Sequence, residues 1–133
     1  MDMVMERIFG KRGRKSSESS DLQLIFVRLH KHLLENRRYT SRGLDRITLA
    51  AAIRTNEKYL VRAVYLFADG KTLGQFIDSL RMEYAGLLLQ RHPEYTIDAI
   101  AYECGTSSRS AFYRLFRKYY GCAPCEYREK CSG

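Results

Sequence analysis

Proline occurs only twice, at Pro93 and Pro124, so almost nothing in the chain forbids helix. Period-two alternation of apolar and polar residues is scarce, which argues against a sheet. The fold class expected is therefore all-α. No apolar run approaches the roughly 18 residues of a membrane span. The opening stretch, MDMVMERIFGKRGRKSS, lacks the apolar centre of a signal peptide. A cytoplasmic location follows as the expectation, with no membrane partner. No nucleophile–base pair, phosphate loop or paired-carboxylate pattern stands out, so neither an enzyme nor a cofactor is expected.

Cysteine is also sparse: Cys104, Cys122, Cys125 and Cys131. Without a secretion signal, free thiols are expected rather than disulfides. Cys122-Ala-Pro-Cys125 has the spacing of a redox pair or, with Cys131, of part of a metal site. No fourth ligand is evident. His30 and His32 are two apart and share no helix face. No metal is expected, and Cys104 reads as core.

What is abundant is positive charge. The 23 Lys and Arg exceed the 15 Asp and Glu by 8. Residues 1–20 hold five basic and three acidic residues, so +6 of the +8 belongs to the remainder. A basic folded domain implies a polyanionic partner, nucleic acid or an anionic surface. Residues 1–20, with GKRGRKSSESS at their centre, are too polar to bury much and read as a flexible basic arm.

From Ser20, which has capping-box spacing to Gln23, the residues Leu22, Ile25, Phe26, Leu29 and Leu33 stripe a helix to about Glu35. NRRYTSRG is a basic connection. A short helix near Arg46 to Ile53 follows, with Leu49, Ala50 and Ile53 inward. Asn56 caps a second, Glu57 to about Phe67, with Leu60, Val64 and Phe67 inward. Two short helices with so small a link form a helix-turn-helix unit, residues 45–68. Thr72 and Gln75 repeat the capping-box spacing. Leu73, Phe76, Ile77, Leu80, Tyr84, Leu87 and Leu88 then stripe a long helix to Arg91.

Thr96 caps the next helix, with Ile97, Ile100, Ala101 and Cys104 inward, and Gly105 ends it. Ser108 caps the helix after that. In Ser107 to Tyr120, SSRSAFYRLFRKYY, Phe112, Leu115, Phe116 and Tyr119 make one apolar stripe. The other side carries Arg109, Ser110, Arg114, Arg117 and Lys118, and the stretch has no acidic residue. Such a helix suits a DNA major groove. Gly121 stops it, and Pro124 opens a last short helix in the N1 position.

Residues 97–120 thus repeat the first unit at an offset of 51. Leu49-Ala50-x-x-Ile53-Arg54-Thr55-Asn56 lies over Ile100-Ala101-x-x-Cys104-Gly105-Thr106-Ser107, with Asn56 and Ser107 as matching caps. The helix between them, at about 1.5 Å per residue over 72–91, spans about 30 Å. A turn of B-DNA is about 34 Å. A helix of that length can hold two recognition helices in adjacent major grooves without a dimer.

At this point the sequence resembles the DNA-binding domain of the AraC/XylS family of bacterial transcription regulators. The strongest part, Ile97 to Arg128, reads I-x-x-I-A-x-x-C-G-T-S-S-x-S-A-F-x-R-x-F-R-K-x-x-G-x-x-P-x-E-Y-R. Before it stand L-A-x-x-I at the first turn, Y-L-x-R in the first recognition helix, and R-M-x-x-A-x-x-L-L over Arg81 to Leu88. The resemblance covers residues 21–131 and implies a seven-helix domain of the short, single-domain type.

The resemblance places Lys58, Val61 and Arg62 of helix three, and Arg109, Ser110, Ala111 and Arg114 of helix six, at base- or groove-facing positions. Arginine there can pair with guanine, and Ala111 can touch a thymine methyl. Asn56, Ser108, Arg117 and Lys118 are the phosphate candidates. The partners implied are double-stranded DNA and RNA polymerase, and the location is the bacterial cytoplasm, on the nucleoid.

Four departures stand out. Arg54 occupies a usual glycine, where a positive φ would strain it, so the first unit is expected to turn differently. One extra residue lies before Gly70. Val64 replaces an aromatic that Tyr65 or Phe67 compensates, and Thr106 replaces another. The function expected is an activator that binds a roughly 20-base-pair asymmetric site as a monomer. The alternative is a protein-interaction regulator that binds polymerase or another regulator with weak or one-sided DNA contact. A third reading is membrane-surface binding by the basic helices.

Overall fold

The computed structural model describes residues 17–132, within which there are seven α-helices and no strand. They are α1 (Ser17–Leu34), α2 (Arg46–Ala52), α3 (Glu57–Phe67), α4 (Leu73–Arg91), α5 (Ile97–Glu103), α6 (Arg109–Tyr120) and α7 (Pro124–Ser132). The all-α expectation holds. Most of the arm expected over residues 1–20 lies outside the described residues. Its last four residues belong to α1, which starts three residues before the expected cap at Ser20. The described residues form two compact units, 17–38 with 43–76, and 39–42 with 77–132.

Unit one is built around α1, which packs chiefly on α3. Every stripe residue expected of α1 is buried: Leu22, Ile25, Phe26, Leu29 and Leu33. Also buried in this unit are Leu49, Ala50 and Ile53 of α2 and its end, Leu60, Ala63, Val64 and Phe67 of α3, and Leu73 and Phe76 of α4. Phe26 lies 6.1 Å from Phe67 and 5.3 Å from Phe76, ring centre to ring centre. Each such fully buried side chain contributes roughly 1.5–3 kcal/mol relative to exposure. Of the two aromatics expected to compensate for Val64, Phe67 is buried whereas Tyr65 is 65% exposed.

Both ends of α3 are set by local hydrogen bonds. Asn56 Oδ1 accepts from the Tyr59 N–H at 2.8 Å. At the other end, Asp69 and Gly70 both adopt left-handed conformations, and the Gly70 N–H reaches the Tyr65 carbonyl at 2.9 Å.

The first turn keeps the geometry that Arg54 was expected to forbid. Arg54 has φ 62, and the equivalent Gly105 has φ 83. The N–H of each bonds three residues back, Arg54 to Ala51 at 3.2 Å and Gly105 to Tyr102 at 3.1 Å. The backbone bonds and the buried residues around the turn impose the conformation, and the arginine accepts about 1–2 kcal/mol of strain. The offset of 51 then ends. The caps are Asn56 and Ser108, 52 apart, so the second turn is one residue longer and Ser107 is not the cap.

Unit two packs α5, α6 and α7 with the part of α4 after Phe76. Its core is Met82, Ala85, Leu88, Leu89, Ile100, Ala101, Cys104, Phe112 and Phe116. Tyr120 stacks on Phe116 at 4.3 Å and donates to the Met82 carbonyl at 2.8 Å. Gly86 leaves room for that tyrosine, since a Cβ there would collide with its hydroxyl. In α4 the single stripe expected is only partly right. Leu87 is 39% exposed, whereas Met82 and Leu89 are buried. This helix is covered on more than one side, so one stripe does not describe it.

Candidate nucleic-acid interface

Helix α6 offers the more complete surface. Ser108 Oγ accepts from the Ala111 N–H at 3.1 Å, fixing the first turn. Phe112 and Phe116 anchor the inner side. Ser110, Arg114 and Arg117 therefore fall at i, i+4 and i+7 along the outer side, with Arg109 at the first turn and Lys118 on the flank, and all five are exposed. Lys118 helps draw down the Asp78 carboxyl, which burial nevertheless holds above the usual range. Ala111 is less accessible than these five, at 9% exposure. It sits beside Phe112 on the edge of the apolar stripe, and a small residue fits that edge.

Arg109 already has partners. Its Nη1 donates to Asp98 Oδ2 at 3.1 Å, and its guanidinium carbon lies 5.3 Å from the Tyr113 ring centre. Both ion-pair side chains are over 60% exposed, so the pair is worth about 0–1 kcal/mol at most. It can orient the arginine without locking it.

The turn before α6 is held by a residue that sequence reasoning missed. Arg42, from the connection after α1, donates through Nε to the Thr106 carbonyl at 3.2 Å and through Nη2 to the Tyr102 carbonyl at 3.3 Å. Its guanidinium lies over the Tyr102 ring at 4.4 Å. The only sequence signal was the basic character of NRRYTSRG, because the contacts join residues about 60 apart. Buried Thr106, in place of an aromatic, donates its hydroxyl to the Ala101 carbonyl at 2.9 Å. In unit one the Thr55 N–H bonds the matching carbonyl of Ala50 at the same 2.9 Å. Arg81 completes the frame, donating to the carbonyls of Tyr39 at 2.7 Å and Ser41 at 2.9 Å.

Helix α3 presents a weaker surface. Lys58 is exposed and Val61 half-buried. Arg62 is paired with Glu18 of α1 at 2.8 Å, and Arg46 with Glu57 at 3.8 Å. Tyr59, Tyr65 and Leu66 are exposed alongside. Charge on this helix is thus small and partly neutralised.

The cysteines are all free thiols, with Cys104 and Cys122 buried and Cys125 and Cys131 exposed. Burial pushes the Cys104 thiol up to about 12. Among the described residues, no group of three or more His, Cys, Asp or Glu is placed to hold a metal ion. No described helix is long and apolar enough to cross a membrane.

Two short-helix pairs, each with a tight left-handed turn and a capped second helix, define a double helix-turn-helix protein. The helix-turn-helix domain family matches residues 49–130. The helix-turn-helix transcriptional activator RhaR of Mannheimia succiniciproducens is 33% identical over 70 residues, which cover 53% of this chain and 25% of that protein. YijO of Escherichia coli, an uncharacterized transcriptional regulator of the same type, is 29% identical over 120 residues, covering 89% of this chain and 40% of YijO. The chain thus spans well under half the length of either relative.

Among solved structures, the DNA-binding domain of AdpA in complex with a target DNA is 26% identical with a TM-score of 0.69, over 78% of this chain and 89% of that one. The C-terminal domain of AraT, a response regulator from Geobacillus stearothermophilus, shares the fold at a TM-score of 0.66 and 24% identity, over 89% and 88% of the two chains. The chain belongs to the AraC/XylS type of helix-turn-helix transcription regulators.

Proposed function

We propose that this protein is a sequence-specific transcription activator that binds duplex DNA as a monomer, with α3 and α6 in adjacent major grooves. The observation that carries this reading is the outer side of α6. Four cations and a serine line a capped helix that has no carboxylate of its own. Arg109, Ser110 and Arg114 are assigned to bases. Lys58, Val61 and Arg62 are their counterparts on α3. Asn56, Ser108, Arg117 and Lys118 are assigned to phosphates, which position the protein without reading sequence. RNA polymerase is the second partner of the activator reading. The test is a gel-shift series on selected sites. Arg114→Ala is expected to cost about 1–3 kcal/mol at one base position and to relax preference there. Lys118→Ala is expected to weaken all sequences alike. If neither variant changes duplex binding, the assignment of α6 is wrong.

A second reading is favoured by α3. Its arginine is paired to Glu18, and Tyr59, Tyr65 and Leu66 are exposed beside it. Unit one would then meet RNA polymerase or another regulator, with DNA contact confined to unit two. A footprint covering one major groove instead of two selects this reading.

A further inference from the structure

Within unit one, the C-terminal half of α1 and the turn after α2 border an open cleft of about 380 Å³. Arg28, Lys31 and His32 line it from α1, and Arg54 from the turn, with Glu35 the one carboxylate and Ile53 at its floor. The volume lies in the range of small-molecule sites, roughly 300–1,000 Å³, and its concavity does not match a convex duplex. None of Arg28, Lys31 and Arg54 makes an ion pair with a described residue.

The repeat provides an internal control for Arg54. Unit two makes the same turn with Gly105, which reaches φ 83 without strain. Unit one makes it with an arginine at φ 62, so the backbone alone does not require this side chain. What arginine adds over glycine is a guanidinium, placed opposite two further cations and an imidazole. A fork of N–H donors facing ammonium and guanidinium groups is the chemistry that holds a phosphate.

We propose that this cleft binds a small phosphorylated anion, with Arg54 as the anchoring residue and Arg28, Lys31 and His32 completing the cradle. The site lies two residues before Asn56, the cap of α3, so its occupant bears on the start of that helix. Binding of the anion does not depend on the DNA-reading assignments above.

The test is a two-dimensional NMR titration of the full chain with inorganic pyrophosphate, at constant ionic strength and without DNA. Saturable shifts centred on residues 28–35 and 52–54 are expected. Arg54→Gly keeps the turn, because glycine takes a positive φ freely, and is expected to weaken pyrophosphate at least tenfold with an unchanged helical spectrum. Arg54→Lys is expected to recover part of that loss, and Glu35→Gln to tighten binding. Shifts confined to α6, or an Arg54→Gly chain that binds as the parent does, overturn the proposal. So does a result in which Arg54→Gly leaves pyrophosphate binding intact but lowers the salt slope for DNA, since Arg54 would then serve a backbone phosphate of the duplex.

Discussion

Arg109 has weak partners within the chain itself. Asp98 takes one edge of its guanidinium and the Tyr113 ring lies to one side. An arginine that reads guanine needs two N–H groups free on one edge, and the Asp98 contact uses Nη1. Asp98 also places a negative charge near the phosphates that α6 is proposed to approach. Asp98→Asn is therefore expected to raise affinity for all duplexes a few-fold while lowering discrimination at the position Arg109 is proposed to read. Competition gel shifts with single-base variants measure both. A loss of affinity without a change in discrimination would show that Asp98 serves only to support the fold.

A second prediction at this scale concerns Cys104. Its thiol is held up to about 12 by burial among Ile100, Phe112 and their neighbours. In the unfolded chain the thiol ionises near its ordinary value of 9.0. The folded state thus binds the proton more tightly, and its contribution to stability is full below about pH 9 and lost as pH rises toward about 12. Denaturation midpoints are expected to fall over that range, and Cys104→Ala to flatten the fall at some cost in core packing. Iodoacetamide is expected to modify exposed Cys125 and Cys131 in the native state and Cys104 only on unfolding.

At the scale of the elements, what could be read in the sequence was what is local. Asn56, Thr96 and Ser108 each cap the helix expected of them, and Thr72 and Gln75 exchange both bonds of a capping box, at 3.0 and 3.1 Å. These bonds join residues three apart, so spacing alone reveals them. Long-range features stayed hidden. Arg42 reaches the second turn across more than 60 positions, and no local pattern marks that. Helix α4 defeated the stripe rule because its apolar residues lie on more than one face, bringing Met82 and Leu89 in and leaving Leu87 out. Arg54 shows that a family glycine marks a conformation which context can impose on another residue.

The second turn is the element most sensitive to change. Gly105 has φ 83, and a Cβ there would strike the Thr40 carbonyl. Gly105→Ala is expected to cost several kcal/mol, above the roughly 1–2 kcal/mol of an ordinary left-handed site, because backbone atoms must move. Ser108→Ala removes only a cap and is expected to cost about 1 kcal/mol. Thermal melts of the two variants rank these costs. Equal, small shifts would mean that the approach of Thr40 relaxes easily.

At the scale of the whole molecule, charge separates the two functional readings. Each neutralised phosphate contributes about −0.9 to the slope of log affinity against log salt. Helix α6, with Arg109, Arg114, Arg117 and Lys118, is rich in such groups, whereas α3 has Lys58 and a paired Arg62. If both units read DNA as proposed, one chain protects about 20 base pairs. Removing the α3 cation by Lys58→Ala then lowers the salt slope by about one and opens the corresponding half of the footprint. If unit one instead meets a protein, Lys58→Ala leaves slope and footprint unchanged, and Tyr65→Ala impairs activation without touching DNA affinity. Measured together, footprint, salt slope and reporter activation assign unit one to one partner or the other.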